Sequence, residues 1–341
     1  MSVSVIIPAF NEEDRLARTL ESVQLQTVQP KQIIVVDDGS TDRTGKIAEQ
    51  MGVDIVRPEK RCGSKASAQN CALPFVTAKY VIAIDADTVL GINSVEKLLE
   101  AMEGDRKAVG ACSWVATLKQ NTFWQKGRSV EYFFAFFWFK RVQNFYHRPL
   151  ICSGAFNIFR TSTLRWLGGY PDDTLAEDMN LTWEIYARQI GRILFVPSSI
   201  AYTDDPENFT QMKAQLNRWS SAYFQNVRKH FWRLWRKDKK AFGFMFLGLI
   251  DAAAGMFFYP LIVAIAVLSN WVWVLSLLIW DAALVTGVAM CGAHRLRMTR
   301  KILSFMPGFW VLRTISTLYF LKWLILTGVL GRSISSYEKG H

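Results

Sequence analysis

Along roughly the first 240 positions, short β-rich apolar runs alternate with stretches of helical periodicity. VSVIIP precedes NEEDRLARTLESVQLQ, QIIVVDD precedes TDRTGKIAEQM, and VDIV follows. Such alternation predicts an α/β domain with a largely parallel sheet. Further strands are predicted at Tyr80–Ile84, Ala108–Ala116 and Arg192–Val196, and another run ends at Arg160.

The pattern changes near residue 240. Phe242–Leu268 and Trp271–Ala293 each have the length and apolar character to cross a hydrocarbon core, which takes about 20 residues. Only Ser269-Asn270 separates them, so a tight hairpin is expected. The basic runs Arg228–Lys240 and His294–Lys301 then fall on one side of that hairpin. The excess of Lys and Arg marks that side as cytoplasmic, and the N-terminal domain goes with it. A third apolar stretch, Ile302–Leu330, is interrupted by Pro307-Gly308 and by Arg313. It is compatible with one crossing, with an interfacial run that then crosses, or with a second hairpin. Two earlier segments have interfacial character. Phe123–Tyr146 frames an aromatic cluster with Lys126, Arg128, Lys140 and Arg141, and fits a headgroup boundary and a buried core helix equally well. Met212–Trp235 mixes tryptophans with Lys and Arg and fits the interface better. The expected division is an α/β domain over 1–208, amphipathic interface helices over 209–240 and a transmembrane region over 241–341.

Composition sharpens this picture. The 341 residues are enough for two domains, and the formal net charge is +11. Mean hydropathy is nevertheless positive. A membrane protein with basic residues at the lipid surface reconciles the two. The charges crowd beside apolar segments rather than forming a stripe or tail, which argues against a nucleic-acid partner. The five cysteines form neither a CxxC pair nor a zinc pattern, as expected of a reducing compartment without a disulfide framework. Val3–Ala9 is too short for a signal peptide, lacks a basic flank and leads straight into acidic residues.

Four clusters carry candidate chemistry. Asp37-Asp38-Gly39-Ser40 follows a buried strand at its carboxyl end, where open α/β sheets bind ligands. The same residues also make an ordinary turn with a helix cap at Ser40 or Thr41. Asp85-Ala86-Asp87 puts carboxylates at i and i+2 after another strand. One can reach a ribose, and the other a hard cation such as Mg2+ or Mn2+ that shares its shell with phosphates. Glu177 and Asp178 open a helix running to about Gln189. Either they cap it, or one of them, Asp178 for preference, takes a proton from an attacking hydroxyl. A single base without a nucleophilic partner implies inversion at the anomeric carbon. Gln215, Arg218 and Trp219 fall at i, i+3 and i+4, on one helical face. Arg218 there can neutralise a diphosphate and Trp219 can stack on a sugar, or the stretch is simply amphipathic.

VIIPAFNEE, VVDDGSTD, IDADT, AEDMNLTWEI and QLNRW occur in the order and approximate spacing of family 2 glycosyltransferases. The chain resembles the membrane-integrated branch that includes hyaluronan, chitin, cellulose and poly-N-acetylglucosamine synthases. The resemblance implies a GT-A fold, a UDP-sugar donor and Mg2+ or Mn2+. It places Phe10 and Glu12 in a nucleotide-contacting loop, Asp37 and Asp38 at the base, and Lys65 near the nucleotide. Asp85 and Asp87 take the donor and metal positions, and Asp178 is the base with Glu177 beside it. Gln215, Arg218 and Trp219 form a Q-x-x-R-W motif, and Cys152-Ser153-Gly154 line the acceptor. The synthases usually carry transmembrane helices ahead of this domain and a larger membrane region. A polymer channel built from so few helices would call for homo-oligomers. The expected activity is sugar transfer to a glycan or lipid-linked acceptor at the cytoplasmic face of a lipid bilayer, with processive synthesis as one form of it. Transfer to a polyprenyl phosphate and an inactive scaffold or transporter subunit are the competing readings.

Overall fold

The computed structural model describes residues 2–250, 264 and 271–332. Its core is an eight-stranded sheet in the order β3-β2-β1-β4-β7-β6-β8-β5. β1 (Val3–Ala9) pairs in parallel with β2 (Gln32–Asp37) on one side and β4 (Tyr80–Ile84) on the other. Strand order therefore reverses at β1, and a crevice opens at the carboxyl ends of these three strands. Ala9 lies opposite Asp37. The residues just beyond β1, β2 and β4 are thereby brought to one edge. The outer strand β3 (Asp54–Val56) continues the parallel block.

The far half of the sheet departs from the expected largely parallel arrangement. β7 (Phe156–Arg160) runs antiparallel to both β4 and β6 (Ala108–Thr117). β8 (Arg192–Thr203) is parallel to β6, and the short β5 (Thr88–Leu90) closes the edge antiparallel to β8. The reversal has a consequence for the crevice. Ile84 pairs with Phe156, so the chain entering β7 lies where β4 ends, and the Asp85 N–H donates to the Ala155 carbonyl at 3.2 Å.

The aromatic segment after β6 forms α5 (Phe123–Phe134), a π-helical turn (Ala135–Phe139) and α6 (Lys140–Phe145). A Thr122–Gln125 capping box starts it. The buried-core expectation holds for one face of this segment. Val130, Phe133 and Phe136 are buried with Trp114 and Phe195 against the sheet, whereas Trp138, Phe139 and Phe145 are exposed. A second face of α5 meets the apolar helices α10 (Trp271–Arg295) and α11 (Ile302–Trp323). The α5–α11 contact is backbone to backbone. A Cβ at Gly127 would lie 2.6 Å from the Gly308 carbonyl, and one at Gly308 would lie 2.5 Å from the Phe123 oxygen. Despite Pro307, α11 runs unbroken into a π-helical turn (Leu324–Val329), so this stretch is not a hairpin. Among the described residues, Thr299–Val329 is the one helix found long and apolar enough to cross a membrane. Arg313 and Asp281 pair at 3.1 Å between α11 and α10. The expected span Phe242–Leu268 and its Ser269-Asn270 turn lie largely outside the described residues.

α8 (Glu177–Ala187) and the 29-residue α9 (Phe209–Lys237) pack along a polar seam. Buried His230 meets the Asn180 side-chain oxygen at 2.8 Å and stands edge-on to Trp183. Beside it, Glu184 is held by Arg233 and Arg188. Burial, reinforced by Lys229, pulls His230 down from 6.5 to about 4. Burial pushes Glu184 upward, but hydrogen bonds from Arg233 and Arg188 outweigh it and hold the carboxyl at about 2, below its ordinary 4.5. In both cases the unfolded chain takes up the proton first, so acid favours unfolding. Stability should be fully held above pH 6.5, fall as pH drops from 6.5 to 4 through His230, and fall again between 4.5 and 2 through Glu184. The histidine alone accounts for up to about 3 kcal/mol. Thermal melts across pH should show this decline, and His230→Gln should flatten its upper part. A flat wild-type profile from neutrality to pH 4 would contradict a neutral buried His230.

Candidate active site

A cavity of about 960 Å³ occupies the crevice. Of the residues singled out in the sequence, Phe10, Glu12, Asp38, Lys65, Asp85, Asp87, Ser153, Gly154, Glu177, Asp178, Gln215, Arg218 and Trp219 line it. Asp37 and Cys152 do not.

The strand ends supply one wall. Asp37 does what the turn reading expects, since its carboxylate accepts the Ser40 N–H at 3.0 Å, and it also pairs with Arg57 at 3.6 Å. Helix α2 (Thr44–Gln50) begins later than expected, and neither Ser40 nor Thr41 caps it. Asp38 accepts the N–H groups of Cys62 and, at 3.2 Å, Gly63. These bonds hold the 61–63 loop so that the Arg61 guanidinium stacks 3.7 Å above the Phe10 ring. Gly63 sits at φ +75°, which favours glycine. Glu12 is buried, with its N–H on the Thr44 hydroxyl at 2.8 Å and its carboxylate 3.4 Å from Arg15.

The centre is organised by Lys65, the first residue of α3 (Lys65–Ala72), whose start is fixed by the Ser64 cap. Its ammonium contacts Asp85, reaches Glu177 at 3.1 Å and donates to the Gly154 carbonyl at 3.1 Å. The Gly154 N–H in turn donates to Asp178 at 2.8 Å, and the other oxygen of Asp178 accepts the Met179 N–H at 2.7 Å. The Asp178 carboxylate is thus oriented by two backbone donors at the start of α8 and keeps further lone pairs free to take a proton. Ala176, at the cap position, contributes no side-chain bond. Cys152 is fully buried, and its N–H donates to the Thr182 hydroxyl at 2.9 Å. It lies behind the wall that Ser153 and Gly154 form, in the buried apolar core.

No group of three or more His, Cys, Asp or Glu side chains forms a metal cage among the described residues. Asp85 and Asp87, both on the cavity wall, are a donor set for a hard cation that completes its shell with substrate phosphates and water.

α9 brings its Gln215, Arg218 and Trp219 to the cavity on one face, as the i, i+3, i+4 spacing requires. Beyond them the wall becomes apolar and reaches Tyr223 and, on α11, Ser316 and Phe320. Other lining residues carry no sequence signal of their own. Arg15, Arg61, Tyr132 and Asp204 sit in unremarkable local sequence and arrive through tertiary packing. Asp204 is ringed by Arg15, Arg18 and Lys119. Its neighbour Asp205 is buried, and burial raises its carboxyl to about 7 despite the opposing Arg128 cation.

The mixed sheet, with its parallel block and carboxyl-end crevice, is a fold of the GT-A class. A mannosyltransferase from Pyrobaculum calidifontis, solved in complex with GDP-Man and Mn2+, matches with a TM-score of 0.62 over 88% of this chain and 86% of that one, at 21% identity. Residues 4–167 match the family described as glycosyl transferase family 2. Poly-beta-1,6-N-acetyl-D-glucosamine synthases of Staphylococcus aureus (strain MSSA476) and Staphylococcus epidermidis are each 25% identical, over 233 and 234 residues. Each match covers 67% of this chain and 56% of the relative, so the chain spans little more than half the length of these curated relatives.

Gly154 offers a direct test of the central geometry. A Cβ there would lie 2.8 Å from the Lys65 ammonium, 3.2 Å from Glu177 and 3.3 Å from Asp178. The ends of flexible side chains can yield, so Gly154→Ala should fold with a nearly unchanged melting temperature. Its displacement of Lys65 and Asp178 should cut turnover roughly 10- to 100-fold. Unchanged turnover would show that the lysine position is not needed.

Proposed function

We propose that this enzyme transfers a sugar, with inversion and with a divalent cation bound, from a UDP-sugar to a growing glycan at the cytoplasmic face of a membrane. The observation that carries the reading is the Lys65 hub, which draws the Asp85 carboxylate and the Glu177–Asp178 pair to one point of a single cavity. The relatives' names make UDP-N-acetylglucosamine the first donor to try.

In this reading the base and ribose sit between the strand ends, near Phe10, Arg61, Asp38 and Asp85. Asp87, with Asp85, would hold Mg2+ or Mn2+, which supplies charge compensation for the diphosphate when bound. An acceptor hydroxyl resting near Trp219 and Ser153 gives its proton to Asp178 as its oxygen bonds the anomeric carbon. On the opposite side the bond from that carbon to the diphosphate oxygen breaks, and the departing negative charge meets Arg218 and Lys65. We assign residues 1–208 to catalysis, 209–240 to the interface and 241–341 to the membrane. The Thr299–Val329 helix and the basic residues flanking α10 support that assignment. A second reading, a lipid-linked acceptor, is favoured by the apolar cavity wall that extends to Phe320.

Purified protein in nanodiscs should turn over one member of a UDP-sugar panel only with Mg2+ or Mn2+. A ladder of products supports glycan extension, whereas single addition to an added lipid acceptor supports the second reading. Asp178→Asn should retain donor binding and lose transfer by roughly 10²- to 10⁴-fold. Substantial residual transfer would remove Asp178 as the base. Asp87→Ala should lose cation-dependent donor binding, and unchanged cation dependence would refute its assignment.

A further inference from the structure

Arg128 is a fully buried guanidinium on α5, and it does not line the cavity. It donates to Glu131 on its own helix and to the Gln215 side-chain oxygen on α9. Its Nε lies 4.0 Å from Asp205. The guanidinium also stands over the Trp219 ring, 4.7 Å from the ring centroid, and 5.9 Å from that of Tyr132.

Stability alone gives little reason for such a group. Removing a guanidinium from water is costly, and a well-packed apolar residue in place of a buried ion pair is often no less stable. What a guanidinium adds is a rigid planar fork that fixes the orientation of its partners and a flat cationic face that stacks on an aromatic ring. Both are directed here at two residues of one helical face, Gln215 and Trp219, that border the cavity. Trp219 is 39% exposed, so without a partner behind it the indole would be free to rotate at the rim.

We infer that Arg128 is a positioning residue: it locks the Gln215 amide and the Trp219 indole plane so that Trp219 presents a flat face to the acceptor sugar. The inference rests on the transferase reading above for the identity of what stacks there. The orientation of Trp219 itself does not depend on that reading.

Two measurements separate the layers. The first needs no activity. The near-ultraviolet circular dichroism difference between the parent and Trp219→Phe isolates the Trp219 signal, and it is recorded again in an Arg128→Met background. The Trp219 contribution should shrink on loss of Arg128, and Arg128→Lys should restore it only in part, because an ammonium lacks the fork. An unchanged difference spectrum in folded Arg128→Met protein would overturn the inference.

The second measurement uses UDP-N-acetylglucosamine as donor and an N-acetylglucosamine tetrasaccharide as probe acceptor. Arg128→Met should raise the acceptor KM about tenfold and leave donor hydrolysis by water near the parent rate. Equal loss of hydrolysis and transfer in a folded variant would overturn acceptor positioning and make Arg128 a general support of the site. A parent protein with no turnover, but with the Trp219 signal coupled to Arg128, would sink the transferase reading and leave the positioning in place.

Discussion

One cation holds the site together. Three carboxylates, Asp85, Glu177 and Asp178, approach each other in a partly dry crevice, and mutual repulsion there would force apart or protonate any such set left alone. Lys65 offsets that repulsion by direct contact with Asp85 and Glu177, and it reaches Asp178 through Gly154. Its placement is otherwise unfavourable, because a positive side chain at the first residue of a helix opposes the macrodipole. The acidic cluster outweighs that local penalty. The partners come from the end of β4, the entry to β7 and the start of α8, so the arrangement exists only when these elements and α3 are all in register.

That registration explains the mixed sheet. Had β7 run parallel to β4, the chain around Gly154 would sit at the opposite end of the sheet from Asp85. The antiparallel pairing brings a flexible, glycine-containing segment to the catalytic edge without a further crossover. The parallel block around β1 provides the crevice, and the reversed strand provides one of its walls.

Much of this is legible in the chain. The β1–β2–β4 block follows from buried β-rich runs that end in acidic turns, and 13 of the 15 singled-out residues reach the cavity, some placed by local rules and others, such as Phe10, Glu12 and Lys65, by the resemblance alone. A strand end fixes where Asp85 and Asp87 point, and a helical period fixes Gln215 against Trp219. Asp37 misses because alternation at the end of β2 turns it away from its neighbour Asp38, and a one-residue shift is invisible without register. Cys152 misses because tertiary packing buries it in the core, which no local pattern shows. Arg128 and Asp205 were unreadable for another reason. Arg128 meets Gln215 across 87 positions of sequence, and a lone basic residue amid aromatics looks the same whether it faces lipid headgroups or a buried carboxylate. The fate of the aromatic segment was open for the same cause, since one helix buries one face against the sheet, meets apolar helices with another and leaves Trp138, Phe139 and Phe145 exposed.

The two glycines at which α5 and α11 touch bear on how this protein can be handled. Because the backbones meet there, the helix beneath the cavity is covered by α11 rather than by solvent. A truncation ending near residue 240, where the composition changes, would cut at a boundary in sequence but not in packing. It would strip the lid from Gly127 and from the neighbouring apolar side chains of α5, leaving a sticky groove directly under Gln215 and Trp219. Solubility and integrity of the acceptor side are therefore opposed in any shortened form, and the smallest faithful unit retains α11.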